Sequence, residues 1–351
     1  MRSFVYTALP ARVVFGVGAL DKLGEEIERL GAQRALVLST PEQRASAEDL
    51  ARRLGARAAG IYDKAVMHTP IEAAEAARRV AAELKADCCV AIGGGSTTGL
   101  GKAIALTSGL PIVAIPTTFA GSEMTPIQGI TADGVKKTVR DLRMLPKTVI
   151  YDPRLLLTLP ARIAGPSGMN GIAHCVEALY AQDANPVTSL MAEEGIRALA
   201  QSLPTVVREP QNLEARGEAL YGAWLAGASL GAVGMALHHK LCHTLGGTFN
   251  LPHAETHTIV LPHATRYNAQ AAPEAMARIA RALGASDPAR GLYDLARTIG
   301  APLALKDIGM PADGLDRAAE LAVTNPYWNP RPLDRGAIRE LLQAAWEGRR
   351  P

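Results

Sequence analysis

Six of the eight histidines fall between residues 238 and 263: His238, His239, His243, His253, His257 and His263. The segment reads ALHHKLCHTLGGTFNLPHAETHTIVLPH. His239 and His243 are four residues apart, so a helix puts them on one face. His253 returns after a loop with two glycines and Asn-Leu-Pro. A second helical stretch, GMNGIAHCVEALY, sets Asn170 and His174 one turn apart in the same way. The set His174, His239, His243 and His253 can therefore converge. Neutral imidazole suits zinc or iron, and histidine also donates protons near neutral pH. For His238, His257 and His263 a plain core or surface role is weighed equally with a site role. An Asp in place of Asn170 would complete half of a metal site, so the amide is the feature to be explained.

A second group of residues suits phosphate rather than protons. AIGGGSTTGLGKAIAL follows an apolar strand pattern and opens a helical one. Gly93, Gly94 and Gly95 let the backbone turn tightly and approach a ligand. Their amides, with the start of the next helix, form a pyrophosphate site. Ser96, Thr97 and Thr98 can cap that helix. IPTTFAGSEMT places Thr117, Thr118, Gly121 and Ser122 after another strand. Ligands of open α/β sheets bind along that carboxyl edge. Either loop alone is also compatible with ordinary turn chemistry. Thr40 and Glu42, in STPEQ, are what the sequence offers to the adenosine ribose, with no acidic signal that decides between NADH and NADPH.

Alternating elements must carry these loops. RALVLST, CCVAIGGG, PIVAIPTT and KTVIYDP are short apolar runs. LDKLGEEIERLG, SAEDLARRLG and IEAAEAARRVAAELK lie between them with helical periodicity. Near-continuous apolar strands separated by amphipathic helices predict a parallel sheet covered on both faces. After Pro153 the strand runs largely stop, and long Ala- and Leu-rich helical segments follow. The reading is an α/β nucleotide-binding domain over 1–153 and an all-helical catalytic domain over 154–351. The chain has 351 residues, 48% hydrophobic and 20% charged, so a sizeable core is expected and disorder is not. A net charge of +3 with no basic run gives no reason to expect nucleic acid. Cys88, Cys89, Cys175 and Cys242 form no C-x-x-C pair; Cys88 and Cys89, in an apolar run, are expected as buried thiols, and the whole reads as a reduced, cytoplasmic protein. No signal peptide or membrane-length apolar run is evident.

With these residues in place, the sequence resembles the iron-containing alcohol dehydrogenase superfamily over essentially its whole length. The shared motifs are GGGS after a strand, PTT followed by GSE, DP at the domain junction, and the G-x-x-H-x-x-x-H-type helix followed by LPH. FVYTALPARVVFG, AVMHTP, PTTFAGSEMTPI, MNGIAHCVEALYA and NPYWNPRP are similar to the branch that reduces maleylacetate. The resemblance implies an N-terminal dinucleotide-binding domain with a parallel sheet, an all-α C-terminal domain of the dehydroquinate synthase-like type, NADH or NADPH as cofactor, and a homodimer. It places the family's metal ligands at Asn170, His174, His239 and His253, with His243 as an additional active-site histidine. Asn170 stands where the family carries Asp, and Gly99 stands where many relatives carry Asp.

An amide is a neutral, weak ligand, so the loss of the anionic one implies a vestigial metal site. The implied activity is NAD(P)H-dependent reduction of the C=C bond of maleylacetate, or of a chlorinated analogue, to 3-oxoadipate in aromatic-compound degradation, without a required metal. His243 and His174 are the candidates for acid catalysis and enolate binding, and Asn170 and His253 for orienting substrate. A dicarboxylate needs cationic or hydrogen-bonding partners. Arg140 and Tyr327 are the leading candidates, ahead of Lys136, Lys137, Arg143 and Arg331. The competing readings are a metal-dependent alcohol or polyol dehydrogenase of the same fold and a catalytically silent dinucleotide-binding protein.

Overall fold

The computed structural model describes residues 4–9, 11–66, 69–132 and 135–351; for 130–132 and 135–137 it describes backbone pairing alone. The described chain forms two compact units. One is Leu9–Thr158; the other is Leu159–Pro351, joined by the segment that ends at Ala8. The division thus falls a few residues beyond the 153/154 boundary read from the sequence, after the turn Pro153–Leu156 that closes the sheet.

The first unit is built on strands β1 (Arg12–Phe15), β2 (Ala35–Leu38), β3 (Ala58–Tyr62), β4 (Cys88–Gly93) and β5 (Ile112–Pro116). A hairpin of β6 (Ile127–Ala132) and β7 (Val135–Arg140) follows, and then β8 (Thr148–Tyr151). Six strands form one parallel sheet in the order β1-β8-β5-β4-β2-β3, while β6 and β7 pair only with each other, antiparallel. Strand alternation feeds two cores. Val37, Val90, Ile92, Val113 and Ile115 pack on one face with Leu23 and Ile27. Leu36, Leu38, Cys89, Ala91 and Ile112 pack on the other with Leu100 and Ile104. Leu23 and Ile27 lie in or at α1 (Leu23–Arg29), and α2 (Arg44–Leu54) and α3 (Ile71–Glu83) follow. Leu100 and Ile104 lie in α4 (Gly95–Ser108). The parallel sheet expected from the sequence is thus present. β1, β3 and the β6–β7 hairpin are additions, because RVVF is a partly exposed edge strand and AAGIY is too Ala- and Gly-rich to stand out.

The second unit is helical throughout. Its central helix, α5 (Ala161–Leu179), is buried from Ala164 to Leu179. It packs against α6 (Pro186–Arg208) and α7 (Leu213–Ala232). The α5–α6 contact is close enough that a Cβ on Gly168 would stand 2.4 Å from Leu203 Cδ2. α8 (Leu237–Phe249) and α9 (His253–Asn268) follow. α10 (Pro273–Leu283), α11 (Pro288–Thr298), α12 (Leu315–Val323) and α13 (Arg335–Glu347) complete the unit. The sequence between 215 and 247 reads as one long helical run. The structure breaks it at Val233–Ala236, and α7 and α8 meet at 95°. Val233 is extended and the Gly234 amide donates to Asp183 Oδ1 at 2.9 Å. That break creates the N-terminus on which the histidine site is built. Among the described residues, no single helix is long and apolar enough to cross a membrane.

Asp152, the acid of the DP motif, locks the last strand of the sheet. Its carboxylate accepts from the amides of Gly18 (3.1 Å) and Leu20 (3.2 Å) and from Arg154 Nη2 (2.7 Å). Burial pushes its pKa up, but the bonds from Arg154 and the Leu20 amide outweigh that and hold it below the usual carboxylate value. A depressed carboxylate stabilises the fold above its unfolded pKa of about 4 and loses that contribution as pH falls through the folded value. Asp152→Asn should therefore cost about 1.5–3 kcal/mol at neutral pH, the range for bonds to a charged group. Urea unfolding at pH 7 and in mild acid checks this, with the deficit of the variant shrinking as pH falls.

Candidate active site

The histidine site begins with a carboxylate that the sequence reading passed over. Glu177 lies on α5, three residues after His174, and is fully buried. Its Oε2 accepts from the Ala236 amide at 2.8 Å and its Oε1 from the His238 amide at 2.7 Å. The His239 amide lies 3.4 Å from Oε2. These are the orphan N–H groups that open α8, where a helix favours negative charge. The same Oε2 stands 2.7 Å from His239 Nδ1. An ionised carboxylate only accepts, so His239 Nδ1 donates. The proton is thereby fixed on Nδ1, and Nε2 is left bare. His239 Nε2 is buried without a protein partner, as are Asn170 Oδ1 and His174 Nδ1. Three buried polar atoms with nothing to bond mark where another molecule is to be bound.

Around them the imidazoles cluster. His174 and His239 stack at 27° with ring centroids 5.2 Å apart, and His243 sits edge-on 6.0 Å from His239. His253 and His257 are 4.2 Å apart, and His257 is 5.0 Å from His239. Burial, then the neighbouring His239 and His243, holds the pKa of His174 well below the ordinary histidine value. Burial does the same to His238 and His257, reinforced by their histidine neighbours. These rings are therefore neutral at pH 7. They bind through one N–H or one lone pair, and His174 is unsuited to proton donation as an imidazolium. His238 and His257, evenly weighed from the sequence, join the cluster. His263, six residues further along α9, is buried and pushed down to about 4 by that burial.

Tyr327 also reaches the site. Its hydroxyl lies 3.0 Å from His243 Nδ1. The segment that carries it is tied at both ends. Lys240 Nζ donates to the Thr324 carbonyl at 2.9 Å. Asn268 and Asn329 exchange amide bonds at 3.0 and 2.7 Å. Arg331, weighed as a substrate cation, instead stacks over the Tyr267 ring at 4.0 Å and donates to the Tyr267 carbonyl. Arg143 pairs with Asp141 at 2.7 Å. Arg140 is exposed at the end of β7, in the other compact unit from Tyr327. The side chains of Lys136 and Lys137 lie outside the described residues.

In the α/β unit, Thr40, Gly93–Gly95 and Thr117–Thr118 follow β2, β4 and β5, three adjacent parallel strands. They share the carboxyl edge that the sequence predicts. Gly93 has φ +151°, and a Cβ there would lie 2.4 Å from Thr97 Oγ1. The first bond inside α4 is Thr98 N to the Gly94 carbonyl at 3.1 Å, so the amides of residues 95–97 remain for a phosphate. Thr97 Oγ1 is buried and unpartnered. Thr117 Oγ1 accepts from Gln43 Nε2 at 2.8 Å, and Thr118 packs over Gly94. The Thr40 hydroxyl bonds Glu42, whose pKa is lowered first by its own backbone amide and then by Thr40.

Ser122, expected from the sequence to contact the cofactor, is gripped from inside the fold. Its carbonyl and hydroxyl are held at 2.6 and 3.1 Å by Lys102 Nζ, which also donates to Thr125 Oγ1 and the Ile127 carbonyl. Burial lowers the Lys102 pKa to about 7, against the pull of Glu123. Lys102 thus pins the loop after β5 from inside. Gly99 is explained by space: a Cβ there would meet Gln128 Nε2 and Thr69 Oγ1 at 2.9 Å.

The family profile described as iron-containing alcohol dehydrogenase matches residues 10–153, and that of the Fe-containing alcohol dehydrogenase C-terminal region matches 165–346. The chain belongs to the iron-containing alcohol dehydrogenase family. It is 62% identical to the maleylacetate reductase of Burkholderia cepacia, over all of both chains. It is 56% identical to the crystal structure of maleylacetate reductase from Rhizobium sp., with a TM-score of 0.96 and complete coverage of both. A 1,3-propanediol oxidoreductase structure matches at 29% identity with a TM-score of 0.90, covering 98% of this chain and 100% of that one.

The family name implies a divalent ion, and the donor set tests it. An ion at the family position would meet Asn170, His174, His239 and His253: three imidazoles and an amide, with no anion among them. The imidazoles suit a transition metal, but an uncharged quartet in a buried place does not fit tight retention of a dication. Glu177 supplies its charge one layer out, through His239.

Glu177→Gln should test that layer. It keeps one oxygen for the α8 amides but turns an NH2 toward His239 Nδ1, so the imidazole proton moves to Nε2. Turnover should fall roughly 10–100-fold, as for other histidine-orienting carboxylates. Dinucleotide binding and circular dichroism should stay unchanged.

Proposed function

We propose that the chain reduces the C=C bond of maleylacetate to 3-oxoadipate with NADH or NADPH. The observation that carries this is the pairing of full-length identity to maleylacetate reductases with Asn170 in a site of neutral donors. The dinucleotide, when bound, supplies a hydride to the alkene carbon β to the substrate ketone. The ketone oxygen then gains enolate charge, and the neighbouring carbon takes one proton.

His174 and Asn170 stabilise that oxygen by donating N–H bonds. The Asn170 amide NH2 is a donor that an Asp could not offer, and a preorganised donor in a buried site is worth most where charge develops. The His174 ring, neutral through burial, donates from one nitrogen without competing for the proton. His243 delivers the proton from Nε2, while Tyr327 accepts from Nδ1–H and holds the ring in place. His253 orients the substrate carboxylates, while the bare Nε2 of His239 only accepts and so holds an N–H or O–H donor beside them.

No step requires a Lewis acid, because the conjugated alkene is already electrophilic. Turnover is therefore independent of a divalent metal. The alternative of an alcohol or polyol dehydrogenase needs an ion to polarise its substrate, and Asn170 opposes it.

The test is consumption of NADH or NADPH with maleylacetate by metal-stripped protein in a strong chelator, with 3-oxoadipate identified as product. Unimpaired turnover is expected. Loss of turnover that zinc or iron restores would overturn the metal-free mechanism, and activity only on alcohols would overturn the substrate. His243→Ala should lower kcat by on the order of 10²–10⁴. Asn170→Asp should gain affinity for zinc or iron, read by metal analysis after dialysis, and lose reductase turnover.

A further inference from the structure

A layer behind His239 holds a group of side chains that the proposed reaction leaves unused. His238 and Cys242 stand one turn apart on α8, and His257 faces them from α9. All three are buried, and their donor atoms lie within 4.8 Å of one another. His238 Nε2 is 3.0 Å from His257 Nδ1 and 3.7 Å from Cys242 Sγ. The two rings share one proton. Whichever ring carries it, the partner's outer nitrogen keeps an N–H, and the outer atoms, His238 Nδ1 and His257 Nε2, have no protein partner.

The separations suit a metal. With bonds of about 2.0–2.1 Å to nitrogen and about 2.3 Å to sulfur, the edges of a tetrahedron are about 3.3 Å between nitrogens and about 3.6 Å between nitrogen and sulfur. The 3.0 and 3.7 Å found here lie within a few tenths of those edges. The donor types are soft thiol and imidazole, the combination that selects zinc over magnesium or calcium.

We propose that His238, Cys242 and His257 form a binding site for a soft divalent ion of the zinc type, distinct from the set around Asn170. On binding, the proton shared between the rings moves to the outer nitrogen of its ring. The thiol proton leaves to solvent, and the thiolate and two inner nitrogens bond to the ion. One position remains for a fourth ligand. The site is independent of the reaction proposed above, and its test reads ligation rather than turnover.

Metal-stripped full-length protein is titrated with Co(II). A thiolate-to-cobalt charge-transfer band in the near ultraviolet should saturate at one ion, persist in Asn170→Ala, and vanish in Cys242→Ser. X-ray absorption of the zinc-loaded wild-type protein should show one sulfur at about 2.3 Å and two nitrogens at about 2.0–2.1 Å. Cobalt binding without the charge-transfer band, a band that survives Cys242→Ser, or a zinc shell of nitrogen and oxygen alone would each overturn the proposal. If Cys242→Ser fails to fold, the absorption spectrum of the wild-type zinc protein decides alone.

Discussion

The helical unit turns on one buried carboxylate. Glu177 sits on the most buried helix and accepts the first amides of α8 with both oxygens. A charge at full burial is tolerated only when it is paired and bonded. Here the helix amides and His239 Nδ1–H provide that, and the requirement runs both ways. α8 needs an acceptor at its start because Ala236, its N-cap residue, has no side chain to offer. Glu177 needs the break between α7 and α8, because only a new helix start presents several free amides together. The same contact sets the tautomer of His239. Fold and chemistry therefore share one group: the carboxylate that opens α8 also places the His239 proton.

The α/β unit solves a different problem. Parallel strands carry their loops to one edge, and small residues keep that edge open. Gly93 is confined by its left-handed backbone and by Thr97, and Gly99 by Gln128 and Thr69. Lys102 holds the next loop from beneath with four bonds to oxygen. The surface kept free for phosphate consists of amides and hydroxyls, while the cation near it faces inward.

Much of this was legible in the sequence, and what was not has physical reasons. The strands β2, β4, β5 and β8 stand out because they are buried on both faces and read as unbroken apolar runs. β1 is an edge strand, and the β6–β7 hairpin is rich in charge, so neither shows that pattern. The histidines on α8 follow helical spacing and were readable as a set. Glu177 was missed because a Glu on an alanine-rich helix reads as a surface charge. Its spacing of three from His174 placed it on the buried face and was the available signal. The break before α8 was also present in GAVGMA, whose two glycines weaken a helix. The hold on Ser122 was not legible, because its loop looks like a phosphate loop. Only the fold shows Lys102 beneath it, since that contact spans twenty residues. The structural role of Arg331 was expected, but not its partner: Tyr267 is sixty-four residues away.

The central claim is that Glu177 sets which nitrogen of His239 carries the proton. The most direct measurement is 15N NMR of the protein labelled at its histidines, with His239 assigned by its loss in His239→Gln. The account predicts a His239 signal with the proton on Nδ1 and a bare Nε2 at neutral pH. A His239 protonated on Nε2 and bare at Nδ1 would contradict it, since Glu177 would then be facing a lone pair and could not be what orients the ring.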